Sequence, residues 1–240
     1  MPINLWQGDW QGRIPVGDAH QRSREVVRPT GGIVRGKFPN RKTGRMVHHE
    51  GLLELDAIYL FETSPRIVRY SEQPERINFP DDTKLRRYTP DFELILDSGE
   101  IILVEVKPSH FYQKEDVRHK LDRVAEHLAR SEKPFVVLTE ETLRQEPRLA
   151  NLRWLYHQLP RISPTYEAMR VGLERHGSRL PLPFKEAITL FAVNNIHPSS
   201  LLVAGLLICP LEQPIYHDTH LHINEENGNG WFFIKKTHGF

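Results

Sequence analysis

Apolar positions keep no steady period over the first 46 residues. Pro2, Pro15, Pro29 and Pro39 and the pairs Gly31-Gly32 and Thr43-Gly44 punctuate this stretch, which predicts a basic arm with little regular structure. From about Glu50 to Thr63 the pattern becomes helical, with Leu52, Leu55, Ile58, Tyr59 and Phe61 on one face and Pro65 as the stop. Residues 66–70 and 76–79 read as short strands. The runs 91–96 (DFELIL) and 101–107 (IILVEVK) read as two strands joined by a tight turn at Asp97-Ser98-Gly99, forming the centre of a sheet. After Pro108, Val117, Leu121, Val124, Ala125 and Leu128 recur with charges between them, predicting an amphipathic helix of about 18 residues. The compact run FVVLT at 135–139 then predicts a buried strand beside 101–107. A strand, helix, strand order implies a parallel crossover and an α/β core.

A further helix is expected over 147–159, where Leu149, Leu152, Leu155 and Leu159 share a face. Beyond Pro160 the pattern changes to helices near 164–176, 183–194 and 198–208, followed by β-like runs at 215–223 and 230–236 bridged by Glu225-Glu226-Asn227-Gly228-Asn229-Gly230. Three helices and a hairpin with an Asn-Gly turn is the element order of a winged helix-turn-helix. The expected organisation is an arm (1–46), an α/β domain (47–160) and a winged-helix-like, mostly helical domain (161–240).

Composition adds less than the pattern until it is taken locally. The 240 residues carry 32 Lys plus Arg against 31 Asp plus Glu, a formal net charge of +1, which removes a bulk basic excess as an argument for a nucleic-acid partner. By blocks, however, residues 1–50 sum to +5, 51–110 to −5, 111–180 to +3 and 181–240 to −2. A carboxylate-rich segment thus lies between two basic ones, as a cationic rim around an acidic site would read along the chain; ordinary surface charge is the plainer explanation. The single cysteine, Cys209, excludes a disulfide framework and a thiolate zinc cluster. No stretch approaches the roughly 20 apolar residues of a membrane span, and the N-terminus has neither a basic flank nor an apolar core. A cytoplasmic protein is expected.

The informative chemistry lies in Tyr88-Thr89-Pro90-Asp91-Phe92 and, thirteen residues on, Glu105-Val106-Lys107. Side chains alternate along a strand, so Glu105 and Lys107 point one way and Val104 and Val106 the other. Asp91, at the start of the neighbouring strand, can reach the same point. Two converging carboxylates are hard oxygen ligands suited to Mg²⁺, and a lysine beside them can orient water and offset charge developing on a phosphate. The plain alternative is an exposed Glu105–Lys107 pair worth at most about 1 kcal/mol. The apolar residues before the pair and the run at 135–139 argue instead for a strand covered on both faces. Glu54 lies on the helix face of Ile58 and Phe61, where an acid needs a partner. Glu50 and Asp56 are alternatives, with Asp56 on the opposite, solvated side; Glu62, within the apolar arc, competes as a structural, paired acid.

In this order and register, Glu54-Leu55, Ser71-Glu72-Gln73-Pro74, Tyr88-Thr89-Pro90-Asp91-Phe92 and Val104-Glu105-Val106-Lys107-Pro108-Ser109 resemble the PD-(D/E)xK nuclease superfamily. More narrowly they resemble its TnsA family, the endonuclease subunits of heteromeric Tn7-like transposases, including CRISPR-associated ones. The resemblance covers about residues 46–160. It implies a restriction-endonuclease-like mixed sheet flanked by helices. Glu54, Asp91, Glu105 and Lys107 would be the catalytic residues, with Asp91, Glu105, Glu54 and the carbonyl of Val106 as ligands of Mg²⁺, two ions in all, which Mn²⁺ could replace. It further implies cleavage of the non-transferred strand at the 5′ ends of the transposon, at duplex DNA, alongside a TnsB-like DDE recombinase and a TnsC-like AAA+ regulator, in the bacterial nucleoid during transposition. The rival functions are a stand-alone restriction or repair nuclease and a non-catalytic DNA-binding subunit.

Other residues have weaker claims. Arg86 and Arg87, just before Asp91, and Lys114 and Arg118 on the long helix are candidate DNA contacts, as are Tyr112, Lys120 and Arg123; a solvated helix face explains the helical ones as well. His217, His220 and His222 raise a zinc site, against which strand alternation and the lack of a nearby cysteine weigh. His48-His49 could enter the site or mark the start of a helix. Trp6, Trp10 and Phe38 could anchor a partner or pack on the core.

Overall fold

The two strands joined by Asp97-Ser98-Gly99 and the apolar run at 135–138 do form one sheet. The structure, a computed structural model, describes residues 20, 22, 23, 34–81, 83–225 and 231–240, with the backbone of 6–7 and 14–15. The elements are β1 (Trp6–Gln7), β2 (Ile14–Pro15), β3 (Arg35–Asn40), β4 (Arg45–Glu50), α1 (Leu52–Thr63), β5 (Ile67–Glu72), β6 (Ile77–Asp81), β7 (Lys84–Tyr88), β8 (Phe92–Leu96), β9 (Ile101–Val106), α2 (Ser109–Tyr112), α3 (Glu115–Ala129), β10 (Phe135–Leu138) and α4 (Glu140–Leu143). There follow α5 (Arg148–Gln158), α6 (Tyr166–His176), β11 (Leu182–Pro183), α7 (Phe184–Ala192), α8 (Pro198–Val203), β12 (Leu207–Ile208) and β13 (His220–Ile223). They fall into two compact units, one of residues 1–58 and 67–143, the other of 59–66 and 144–240.

The first unit is built on a mixed sheet of order β10-β9-β8-β5. β8 and β9 are antiparallel, with Phe92 opposite Val104 and Ile95 opposite Ile101. Gly99, at φ +83°, makes the turn between them, and Leu96 and Glu100 close it with a backbone hydrogen bond of 2.9 Å. β10 runs parallel to β9, with Phe135 opposite Leu103 and Leu138 opposite Val106, as the intervening helix requires. Leu121, Val124 and Leu128 of α3 pack with Phe79, Tyr88 and Leu103, so the crossover helix covers the sheet and the hairpin β6–β7. This is the α/β core expected.

Two expectations need correction here. The arm is not irregular up to residue 46, because β3 and β4 pair antiparallel from Arg35 opposite Glu50 to Asn40 opposite Arg45. Gly44, at φ +73°, and the Asn40 side chain, which accepts from the Thr43 amide at 3.0 Å, make its turn. The inward positions of this hairpin include Arg45, His48 and His49, all buried, so alternation of apolar residues could not reveal it. Asp56 is not solvated: it is 1% exposed, because from Asp56 to Ser64 only Tyr59 is less than fully buried and the helix is covered on more than one side. The compact units themselves divide at 143/144. Asn151 of α5 bonds to the carbonyls of Leu211 and Gln213 and to the amide of Ile215, which ties that helix to the C-terminal elements.

In the second unit Thr165 caps α6 by accepting from the Ala168 amide at 3.2 Å. α8 stops at Val203, short of the expected 208. Gly205, at φ +71°, closes a Schellman turn in which the Leu206 amide reaches Leu201 and the Gly205 amide reaches Leu202. The expected hairpin of 215–223 with 230–236 does not form. β13 pairs instead with β11 and β12, giving the order β11-β13-β12, and residues 231–240 contain no strand. The indole of Trp231 bonds to the Cys209 carbonyl at 2.9 Å. The bridging turn at 226–230, with Trp10 and the side chain of Trp6, lies outside the described residues. Phe38 is buried in the first unit. Among the described residues no helix is long and apolar enough to cross a membrane.

Candidate active site

The antiparallel register of β8 and β9 sets Asp91, just before β8, beside the end of β9. Its Oδ2 accepts the Val106 amide at 2.9 Å, so the main chain of the Glu-Val-Lys segment itself positions the aspartate. The Gln73 amide bonds to the Asp91 carbonyl at 2.9 Å, which ties the Ser71–Pro74 segment to the same point. Among the described residues no donor reaches Oδ1. Glu105 is 4% exposed, and both of its oxygens are engaged: Oε1 with the Lys107 ammonium at 2.7 Å and Oε2 with the Tyr88 hydroxyl at 2.5 Å. The Lys107 amide donates to the Leu138 carbonyl at 2.9 Å, so the parallel strand fixes the backbone from which the lysine projects. Glu54, three residues into α1, accepts the Glu50 amide on Oε2 at 2.7 Å, which closes the helix start.

The electrostatics bring these groups together. Burial, then the charges of Glu105 and Glu54, hold the Asp91 carboxyl well above the usual aspartate range; the Val106 amide and Lys107 only partly offset them. Burial works to lower the Lys107 ammonium, but Glu105, followed by Asp91 and Glu54, carries it above the ordinary lysine value. Lys107 is therefore a protonated cation here, not a base. Burial and the Glu105 carboxylate push the Tyr88 phenol far above the tyrosine range. The site holds more negative charge than its one lysine neutralises, which is the condition that a bound cation relieves.

Hard oxygen donors with one free Asp91 oxygen suit a small divalent cation. Among the described residues no three His, Cys, Asp or Glu side chains are turned to a common metal point. Glu105 and Glu54 both spend oxygens on donors of the chain, while their charges still reach Asp91. His217, His220 and His222 are exposed and likewise form no such cluster.

Of the cationic candidates, Arg86 pairs with Asp81 at 2.5 Å while remaining 57% exposed. Arg87, Lys114 and Arg118 are exposed, and the Lys114 ammonium lies 4.7 Å from the centre of the exposed Phe111 ring. His48 and His49 are buried. Arg22 donates to His48 Nε2 at 3.2 Å, and burial, then Arg22, lowers the His48 pKa to about 4. Sequence reasoning missed the contacts of two neighbouring residues. Tyr88 stood in the quoted motif, but nothing in spacing says its hydroxyl meets Glu105. Glu72, 1% exposed, is held by Arg45 through both oxygens, by Arg22 at 3.3 Å and by the His48 amide at 3.1 Å; it is an acid of the scaffold.

A mixed sheet whose central antiparallel pair carries an aspartate at the mouth of one strand and Glu-x-Lys at the end of the next is consistent with the PD-(D/E)xK nuclease superfamily. Residues 64–140 match the Tn7 TnsA-like family, described as the TnsA-like endonuclease N terminal. The match, which spans less than half of the chain, makes this stretch similar to a TnsA-like, endonuclease-related family. It contains Asp91, Glu105 and Lys107; Glu54 lies before it. No curated protein matches the chain.

Proposed function

We propose that this protein is the Mg²⁺-dependent endonuclease subunit of a heteromeric Tn7-like transposase, and that it cleaves the non-transferred strand at the 5′ ends of the element during cut-and-paste transposition. The observation that carries the reading is the meeting of Asp91, Glu105 and Lys107 at adjoining strand ends within the TnsA-like stretch. Asp91, through its open oxygen, Glu105, Glu54 and the Val106 carbonyl would hold the ions. Bound there, Mg²⁺ or Mn²⁺ would activate water and offset charge on the attacking and leaving oxygens. The chain itself supplies three things: the Val106 amide fixes Asp91, Tyr88 and Lys107 orient Glu105, and the Lys107 ammonium, on a half-buried flexible stem, can turn to a phosphate oxygen and donate there. Arg87, Lys114 and Arg118, with Arg86, would engage the DNA backbone.

The second unit supports a partner role. Its order α6-β11-α7-α8-β12-β13, with β13 between β11 and β12, would suit a winged-helix-like unit. Residues 198–202 of α8 are buried, the helix carries no cation, and residues 181–240 sum to −2. A groove-reading role has little to rest on, which favours contact with a TnsC-like regulator, while a TnsB-like recombinase would cut and join the other strand. The complex would work in the cytoplasm, on the nucleoid; whether its targeting is CRISPR-guided does not bear on the site.

The test is strand-specific cleavage of transposon-end DNA by the purified chain with its recombinase. Asp91→Ala should abolish 5′-end cleavage while 3′-end joining persists, shifting the product from simple insertion to cointegrate. Normal 5′ cleavage by the variant would remove Asp91 from the site. Vigorous cutting of arbitrary DNA by the chain alone would favour a stand-alone nuclease.

A further inference from the structure

The two groups that hold Glu105 differ in what they can do. Lys107 reaches Oε1 from a flexible stem and is half-buried, so it can leave for another anion. Tyr88 cannot. Its ring is buried in the cluster of Phe79, Leu103, Leu121, Val124 and Leu128, meets Phe135 edge-on with centroids 5.9 Å apart, and has the Lys120 ammonium 5.1 Å over its face. A phenol packed on every side delivers its hydroxyl to one place, and that place is Oε2 of Glu105 at 2.5 Å.

We infer that Tyr88 is a positioning residue that pins Oε2 of Glu105, so that the carboxylate offers Oε1 alone, the oxygen now shared with Lys107. The inference rests on the endonuclease reading, because it concerns how the site takes a cation. Its consequence is selectivity. A carboxylate restricted to one oxygen suits Mg²⁺, which is small and strictly octahedral. Ca²⁺ is larger and readily accepts carboxylates through both oxygens, so it gains nothing from the restriction. A purely structural role, in which the hydroxyl only satisfies a buried carboxylate, would affect stability and leave that preference alone.

The test is calorimetric titration of the full chain with MgCl₂ and with CaCl₂, without DNA. Tyr88→Phe keeps the ring and its packing and removes the pin. The expected result is a loss of Mg²⁺ affinity of about tenfold or more, the usual scale for a group that orients a ligand, with Ca²⁺ affinity held or raised. Phe79→Leu, which disturbs the same cluster without touching Glu105, should leave the ratio of the two affinities unchanged. An unchanged ratio in Tyr88→Phe overturns the inference and spares the endonuclease reading; a wild-type chain that takes up neither cation sinks both. Should the variant fold poorly, the Tyr88 ζ-carbon NMR signal of the wild-type chain decides. It should stay at its hydrogen-bonded position as Mg²⁺ is added, and movement to that of a free phenol refutes the pin.

Discussion

Replacing Asp91 by Asn should stabilise the metal-free protein while destroying the activity proposed for it. Asp91 faces the charges of Glu105 and Glu54 from a buried position, with the Val106 amide and Lys107 as partial compensation. Asparagine keeps an oxygen for the Val106 amide, removes one negative charge and adds donors for the neighbouring carboxylates. Because the folded pKa lies above the unfolded one, the native state retains a proton that the unfolded chain has released, and wild-type stability falls as pH rises from the ordinary aspartate range through the raised folded value. The variant has no such proton to lose. The two proteins should therefore differ little at acid pH and diverge towards pH 8. There the gain should be about 0.5–2 kcal/mol, the usual yield of a single stabilising substitution, and a chain of this length should gain a few degrees in Tm, at about 2–4 °C per kcal/mol. Thermal melts in EDTA across pH 5–8 measure this. Magnesium at about 100 times its Kd should then add about 2.7 kcal/mol to the wild type and next to nothing to the variant, reversing their order. An Asn variant that melts at or below the wild type at pH 8 in EDTA, or that gains equally from magnesium, would refute the account of a charge-strained site.

Two further outcomes concern the scaffold beneath the site. Glu72→Ala strips a buried guanidinium of its carboxylate and the His48 amide of its acceptor, so urea unfolding should register a loss of about 3–5 kcal/mol; less than about 1 would mean that the network around Arg45 and Glu72 is dispensable. His48, held neutral with its pKa lowered from 6.5 to about 4, declines a proton that the unfolded chain accepts, so stability should drain away as pH falls from 6.5 towards 4, with a slope of at most about 1.4 kcal/mol per unit. His48→Asn should flatten that slope, and an equal slope in both proteins would assign the acid lability elsewhere.

What could be read in the sequence was whatever obeyed a period. The hairpin of β8 and β9, the parallel return at 135–138 and the faces of α3 all follow from apolar spacing, and with them the meeting of Asp91 with the end of β9. Elements whose interior is polar escaped. Arg45, His48 and His49 face inward from β4 because Glu72 and Arg22 receive two of them, and no rule of alternation anticipates a partner 27 residues away. Asp56 failed for a related reason: a helix covered on several sides has no solvated face to which spacing can assign an acid. In the second unit the error lay in turn chemistry. The Asn-Gly pair looked like the hairpin turn, while Gly205 ended α8 early and supplied the strand that β13 pairs with.

The near-equality of 32 cations and 31 anions conceals acids of two opposite kinds. Glu72 is surrounded by donors in excess of its charge and holds the β3–β4 hairpin to β5; removing it should cost stability. Asp91 is surrounded by charge of its own sign; removing its charge should add stability. Both are acids of the same segment, at the ends of the neighbouring strands β5 and β8, and composition counts them alike. The difference lies in the sign of their surroundings, and a fold under selection for stability alone has no reason to keep the second kind. Asp91 remains a carboxylate at the mouth of β8, braced by the Val106 amide and the Gln73 amide but left with one oxygen unengaged, which is what the proposed role in holding a cation would use.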